Sequence, residues 1–227
     1  MSVLTLLCAL AVPDALQAQS KCRDASEDSH YSVIVENNRV RVLALELGRL
    51  ESTKPHCNKA PYLSIVTTAS RTTTLFEGQG DLSHDWTSGE ARFHYRRVQQ
   101  HAIRNDTSIA HREVMVETLL PVPFNSQYGS YDTDEFGSDL TSVKPTWSTS
   151  LTRGALSATR TQLASGDSFE LIGADHVLIA LSDLKLETET GSTISLNKDE
   201  LAILKAGAAS KLTNGDKGAA KFVIVNF

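Results

Sequence analysis

The chain has 227 residues, of which 41% are hydrophobic and 22% charged, with a net charge of -5. These proportions belong to an ordinary globular protein and exclude a disordered or fibrous one. Lys and Arg are scattered singly, so the basic patch that marks a nucleic-acid-binding protein is lacking, and nucleic acid is excluded as a partner.

The first twenty residues, MSVLTLLCALAVPDALQAQS, run from an apolar core, Val3 to Val12, into small and polar residues that include Ala15 and Ala18. That layout predicts a secretory signal peptide over 1–20 and a secreted or periplasmic protein; the alternative is a buried N-terminal strand. No later run approaches the 18 or so apolar residues of a membrane helix, so no membrane span is expected after processing. Of the three cysteines, Cys22 and Cys57 lie beyond the leader. In an oxidising compartment such a pair closes into a disulfide, and a Cys22–Cys57 bridge pinning the N-terminal arm is predicted; the alternative is two separate thiols.

Helical periodicity is scarce beyond this point. Short runs of β-branched and apolar residues, broken by Asn, Gly, Ser and Asp, predict strands within 31–47, 61–68, 90–98, 112–120, 175–190, 192–196, 200–206 and 220–227. ENNR, at 36–39, is a natural hairpin turn because Asn tolerates left-handed backbone. Between Pro121 and Pro145 the texture turns to Pro, Gly, Ser, Asp and Tyr, which reads as a linker or covering loop over 120–147. Tyr128, Tyr131 and Phe136 in it are candidates to cover a barrel mouth.

The two flanking parts resemble each other. YLSIV at 62–66 answers HVLIA at 176–180, and QQHAIRNDTSIAHREVMVETL answers AASKLTNGDKGAAKFVIVNF, so that His101 falls opposite Ser210 and Asn105 opposite Asn214. A duplicated β unit is the expectation.

On these residues both halves resemble cupin domains, and the chain resembles a bicupin. The first cupin motif is Gly, about five residues, His-x-His, three or four residues, Glu, six residues, Gly; the second ends in His-x-x-x-Asn. His56 matches the first histidine, and His101 with Asn105 matches the second motif. Asn58 stands where the second histidine belongs and Tyr62 where the glutamate belongs, so the metal motif is degenerate. In the second half Glu170 and Ile172 fall at the His-x-His positions, His176 at the glutamate position, and Ser210 replaces the last histidine. The resemblance implies an all-β fold of two consecutive jelly-roll barrels, at 30–119 and 148–227.

Metal-binding cupins hold Fe, Mn, Ni or Zn with imidazole and carboxylate ligands aimed into the barrel, a set that suits these ions. Strand alternation sends His56 and Asn58 inward and Cys57 outward. The resemblance thus implies a first-barrel pocket of His56, Asn58, Tyr62 and His101 that binds a small polar molecule. Two alternatives stay open: a metal-dependent dioxygenase or isomerase in which His56 and His101 hold one divalent transition metal, and a non-catalytic scaffold. His84, His94 and His111 are further candidates by residue type, His94 because it sits in the alternating run RFHYR. The second barrel is expected to be structural, and cupins often form homodimers.

Overall fold

We describe a computed structural model of the chain, which covers residues 22–58, 60–76, 80–94, 100–120, 144–153 and 156–227. The expected leader and most of the 120–147 segment, with its three aromatic candidates, lie outside the described residues.

The chain begins with a disulfide between Cys22 and Cys57, whose Cα atoms are 5.8 Å apart. Asp24 follows and caps a single 3-10 turn at Ala25–Glu27, accepting from the Ser26 N–H at 2.9 Å. Eight strands come next: β1 (Tyr31–Glu36), β2 (Val40–Leu47), β3 (Tyr62–Val66), β4 (Ser70–Phe76), β5 (Leu82–Trp86), β6 (Ala91–His94), β7 (His101–Asn105) and β8 (His111–Thr118). Nine more form the second half: β9 (Trp147–Arg153), β10 (Leu156–Leu163), β11 (Ser168–Glu170), β12 (His176–Ala180), β13 (Leu184–Thr188), β14 (Thr193–Leu196), β15 (Leu201–Leu204), β16 (Lys211–Asn214) and β17 (Ala220–Asn226). The ENNR turn joins β1 to β2. There the Asn37 side chain accepts from the N–H groups of Arg39 and Val40, which is how Asn stabilises a tight turn.

The two halves share one topology. In the first, the large sheet is ordered β1-β2-β8-β3-β6 and the small sheet β5-β4-β7; in the second they are ordered β9-β10-β17-β12-β15 and β14-β13-β16-β11. Every strand of the first half has a counterpart in the second, in the same chain order. Only β11 lacks a full partner strand, and its place is taken by two isolated bridges, Ser52 with Arg104 and His56 with His101.

Each half is a barrel of two facing sheets, and the large sheets of the two halves pack against one another. Because side chains alternate along a strand, one parity of each large-sheet strand faces its own barrel and the other faces the neighbouring barrel. Val42, Leu63, Ile65, Phe93, Val114 and Val116 of the first half thereby join Leu156, Val177, Ile179, Val223, Val225 and Phe227 of the second in one buried cluster. This explains why β3 and β12 are mostly apolar, with Ser64 and His176 the exceptions: all five residues of each are buried, since both faces are covered.

Gly89 sits at a close approach of the two halves. Its φ of +83° is left-handed, and a Cβ there would stand 2.7 Å from the Leu181 Cδ1 of the other half. Its carbonyl accepts from the buried Arg160 guanidinium at 3.1 Å. Arg112 and Thr68 of the first half add bonds to the Asp199 carboxylate of the second, at 3.0 and 3.2 Å.

The interiors differ in kind. The second barrel is filled by Leu163, Leu178, Leu184, Leu186, Leu212, Phe222 and Ile224. Inside the first, an apolar floor of Leu43, Leu45, Leu47 and Met115 adjoins many polar side chains. Arg41 is fully buried there, its Nε donating to Glu117 at 2.5 Å and its Nη1 to Asp24 at 2.8 Å. Burial works against the Asp24 carboxylate, yet bonds from Arg41 and Ser26 outweigh it and hold its pKa at about 2.

Candidate functional site

The polar interior of the first barrel opens into a cavity of about 70 Å³ between its two sheets. Strand parity decides what lines it. The large sheet contributes Tyr62 and Ser64 from β3, Arg92 and His94 from β6, and Glu113 from β8. The small sheet contributes Thr72, Thr74 and Phe76 from β4, Leu82, His84 and Trp86 from β5, and His101 and Ile103 from β7.

Several of these groups are locked to one another. The Tyr62 ring stacks on His94, with centroids 4.3 Å apart and planes 14° from parallel. His94 Nε2 lies 3.3 Å from the Ser64 hydroxyl. Burial, helped by neighbouring His101 and Arg92, pushes the His94 pKa down to about 3, so the ring is neutral near pH 7. Arg92 lies 4.6 Å over the Trp86 ring, a cation–π contact. Its Nε and Nη2 both donate to Glu90 Oε1, at 3.1 and 2.8 Å, while Nη2 also meets His84 Nε2 at 2.6 Å. Trp86 Nε1 donates to the Thr72 hydroxyl at 2.8 Å.

The four residues expected to form the pocket part company here. Tyr62 and His101 line the cavity; His56 and Asn58 do not. His56 is completely buried behind His101, with ring centroids 4.5 Å apart and planes tilted by 52°, and the two backbones exchange hydrogen bonds at 2.8 and 3.0 Å. His56 Nδ1 is 2.8 Å from the Lys54 carbonyl oxygen, which only accepts, so Nδ1 carries the proton. Nε2 is then the acceptor, and the Tyr31 hydroxyl donates to it at 3.1 Å. Burial favours this neutral imidazole by lowering the His56 pKa, and it raises that of the Tyr31 phenol well above its ordinary value. The Asn58 amide is buried, and neither its oxygen nor its nitrogen has a hydrogen-bond partner.

The donor set does not fit the metal centre that the resemblance implies. Both nitrogens of His56 are engaged by the protein, its ring meets His101 face to tilted face, and an amide at position 58 is a poor ligand for first-row metals. Among the described residues, no group of three or more His, Cys, Asp or Glu side chains is placed to hold an ion.

Among the described residues, the interior of the second barrel is the apolar cluster of Leu163, Leu178, Leu186 and Phe222 where the first has this site. The Leu171 N–H donates to the Ser210 carbonyl at 2.8 Å, as the His56 N–H does to His101, so Leu171 occupies the place of His56. Sequence spacing puts Glu170 there instead. The one-residue offset follows from an irregularity between Ser52 and His56, where the first half has two separate bridges and the second has a continuous strand. His176 does begin β12 as Tyr62 begins β3; it bonds Asn226 at 2.5 Å.

Arg92, Glu90 and Trp86 are site residues that motif matching passes over. Alternation signals the first two: in EARFHYRRV, Glu90, Arg92 and His94 share one parity, whereas Trp86 lies outside that run. Of the histidines named by type, His84 and His94 reach the cavity. His111 is buried beside it, held by Ser70 at 2.7 Å and Glu113 at 3.3 Å.

Comparison with solved structures bears on the fold. A Cupin 2 conserved barrel domain protein from Leptotrichia buccalis matches at a TM-score of 0.58 and 12% identity, covering 96% of this chain and 97% of that one. AerE from Microcystis aeruginosa matches at 0.58 and 10%, covering 88% and 97%. Salicylate 1,2-dioxygenase from Pseudoaminobacter salicylatoxidans, solved with gentisate, matches at 0.59 and 10%, covering 93% and 76%. No protein-family model matches the sequence, and no curated protein does. Tandem jelly rolls of identical strand order, matched over most of their length, define a cupin fold. The chain has this fold in a two-barrel form, with one polar, hollow barrel and one filled, apolar barrel.

Proposed function

We propose that the protein binds a small polar molecule in the cavity of the first barrel, and that the second barrel serves as its rigid packing partner. The observation that carries this is the contrast between the interiors: one lined by hydroxyls, imidazoles and an arginine around an open space, the other closed by leucine and phenylalanine. A cavity with a few convergent polar groups on an apolar frame is the usual form of a ligand site. Tyr62, Ser64, His94 and His101 are the contacts, while His56 supports His101 from behind. The disulfide supports a reading of the protein as secreted or periplasmic, because such bonds persist in oxidising compartments.

The test is a screen of small polar molecules against the full chain by ligand-observed NMR, repeated on His101→Ala and on Leu186→Ala in the second barrel. Saturable binding lost in the first variant and kept in the second is the expected result. Binding that survives His101→Ala excludes the cavity. Metal analysis of the purified protein runs beside it. Stoichiometric Fe, Mn, Ni or Zn that disappears in a His56→Ala/His101→Ala double variant replaces this reading with the metal-dependent one.

A further inference from the structure

We propose that the first-barrel cavity selects an uncharged ligand: a small, flat apolar frame bearing hydroxyl, carbonyl or amide groups. This deepens the function proposed above and rests on it.

The argument begins with the charges on the wall. Among the described lining residues Arg92 and Glu113 carry the formal charges, and each already has a partner inside the protein. Arg92 is bonded through Nε and Nη2 to Glu90 and lies over Trp86. The Glu113 carboxylate faces His111 Nε2 at 3.3 Å. His84, the imidazole nearest the arginine, meets the same Glu90 oxygen at 2.9 Å. A carboxylate ligand would therefore meet an arginine already matched by Glu90, and an ammonium ligand a carboxylate already engaged by the buried His111 ring. Either would lose its hydration without gaining a free counter-charge.

Neutral polar groups face no such penalty. The hydroxyls of Ser64 and Thr74 and the phenol of Tyr62 both donate and accept, and a neutral imidazole does one at each nitrogen. Such a set serves a hydroxyl, a carbonyl or an amide equally well. The rest of the wall consists of flat or apolar surfaces, Trp86, Phe76, Leu82 and Ile103, which suit a planar carbon frame. A volume of about 70 Å³ corresponds, at ~10–15 Å³ for one water, to room for about five water-sized groups.

Three isosteric probes isolate charge: benzamide is neutral, benzoate anionic and benzamidine cationic. Each is titrated into the full chain near neutral pH while the imidazole signals of His94 and His101 are followed by NMR. Benzamide is expected to shift both signals saturably, with an affinity at least about tenfold above either charged probe. Ser64→Val, which narrows the cavity, should abolish the shift while the near-UV circular dichroism stays that of the wild type; Thr74→Val, which removes a hydroxyl from the opposite wall at nearly constant volume, should weaken it. Benzoate or benzamidine binding as tightly as benzamide overturns the selection for an uncharged ligand and leaves the proposed function standing. If none of the three moves the His94 and His101 signals, both fall.

Discussion

His56 has both ring nitrogens occupied, by Tyr31 and by the Lys54 carbonyl, and it is fully buried. Tyr31→Phe removes the donor and leaves Nε2 buried without a partner. It should lower stability by about 1–3 kcal/mol in urea unfolding while ligand binding is unchanged, because neither residue lines the cavity. A binding loss without a stability loss would return His56 to the site. His94 makes a second prediction, through pH. Its folded pKa of about 3 lies below the ordinary 6.5, so between those values the unfolded chain takes up a proton that the folded chain refuses. Stability is fully present above pH 6.5 and falls as pH drops through that window. From pH 7 to 5 the loss should be on the order of 1–2 kcal/mol, and His94→Gln should flatten the slope. Asp24, held at about 2 instead of 3.8, adds a loss of the same sign only below about pH 4. An unchanged slope in His94→Gln would contradict the assignment.

At the scale of elements, two asparagines do the same work, one in each half. Asn105 Nδ2 donates to the carbonyls of Leu47, Gly48 and Ile109, and its Oδ1 accepts from the Thr107 N–H. Asn214 Nδ2 donates to the carbonyls of Leu163 and Gly218, and its Oδ1 accepts from the Asp216 N–H. Each closes the loop after its strand and ties it to the end of β2 or β10, so the pairing of Asn105 with Asn214 read from the sequence is a shared structural role. Asn105→Ala and Asn214→Ala should each cost about 1–3 kcal/mol, the former more because it loses one further carbonyl. Equal, negligible effects in thermal melts would sink this reading. The strands themselves were unevenly legible. YLSIV and HVLIA announce themselves through hydrophobicity, whereas SRTTTLF, WSTSLTR and LSATRTQL are strands β4, β9 and β10 with little of it. Threonine suits a strand through its branched Cβ, but its hydroxyl hides it from a search for apolar alternation.

At the scale of the whole molecule, the two barrels are one folding unit in packing terms, since Val42, Leu63, Ile65 and Phe93 are buried against the second half. A fragment of residues 22–120 would expose this sheet face and should aggregate or bind a hydrophobic dye, while the full chain stays soluble. A monomeric, dye-silent fragment would contradict the shared core. Gly89→Ala tests the same junction from the backbone. It puts a Cβ where Leu181 stands and forces a side chain into left-handed φ, at a cost of about 1–2 kcal/mol before any packing loss.

The sequence by itself determined the class of the fold and its doubling, because strand periodicity, turn residues and a repeated His/Ser-x-x-x-Asn spacing are local signals. It also singled out Tyr62, His94 and His101, which reach the cavity. Only the tertiary structure decided that His56 turns away from that cavity toward Tyr31, and that Arg92 is matched by Glu90. It alone decided that a one-residue irregularity sets Leu171 against Ser210. The physical reason is that hydrogen-bond partners and strand register depend on residues brought together from far apart in the chain. Spacing along one strand tells which face a side chain takes, but not what waits for it there.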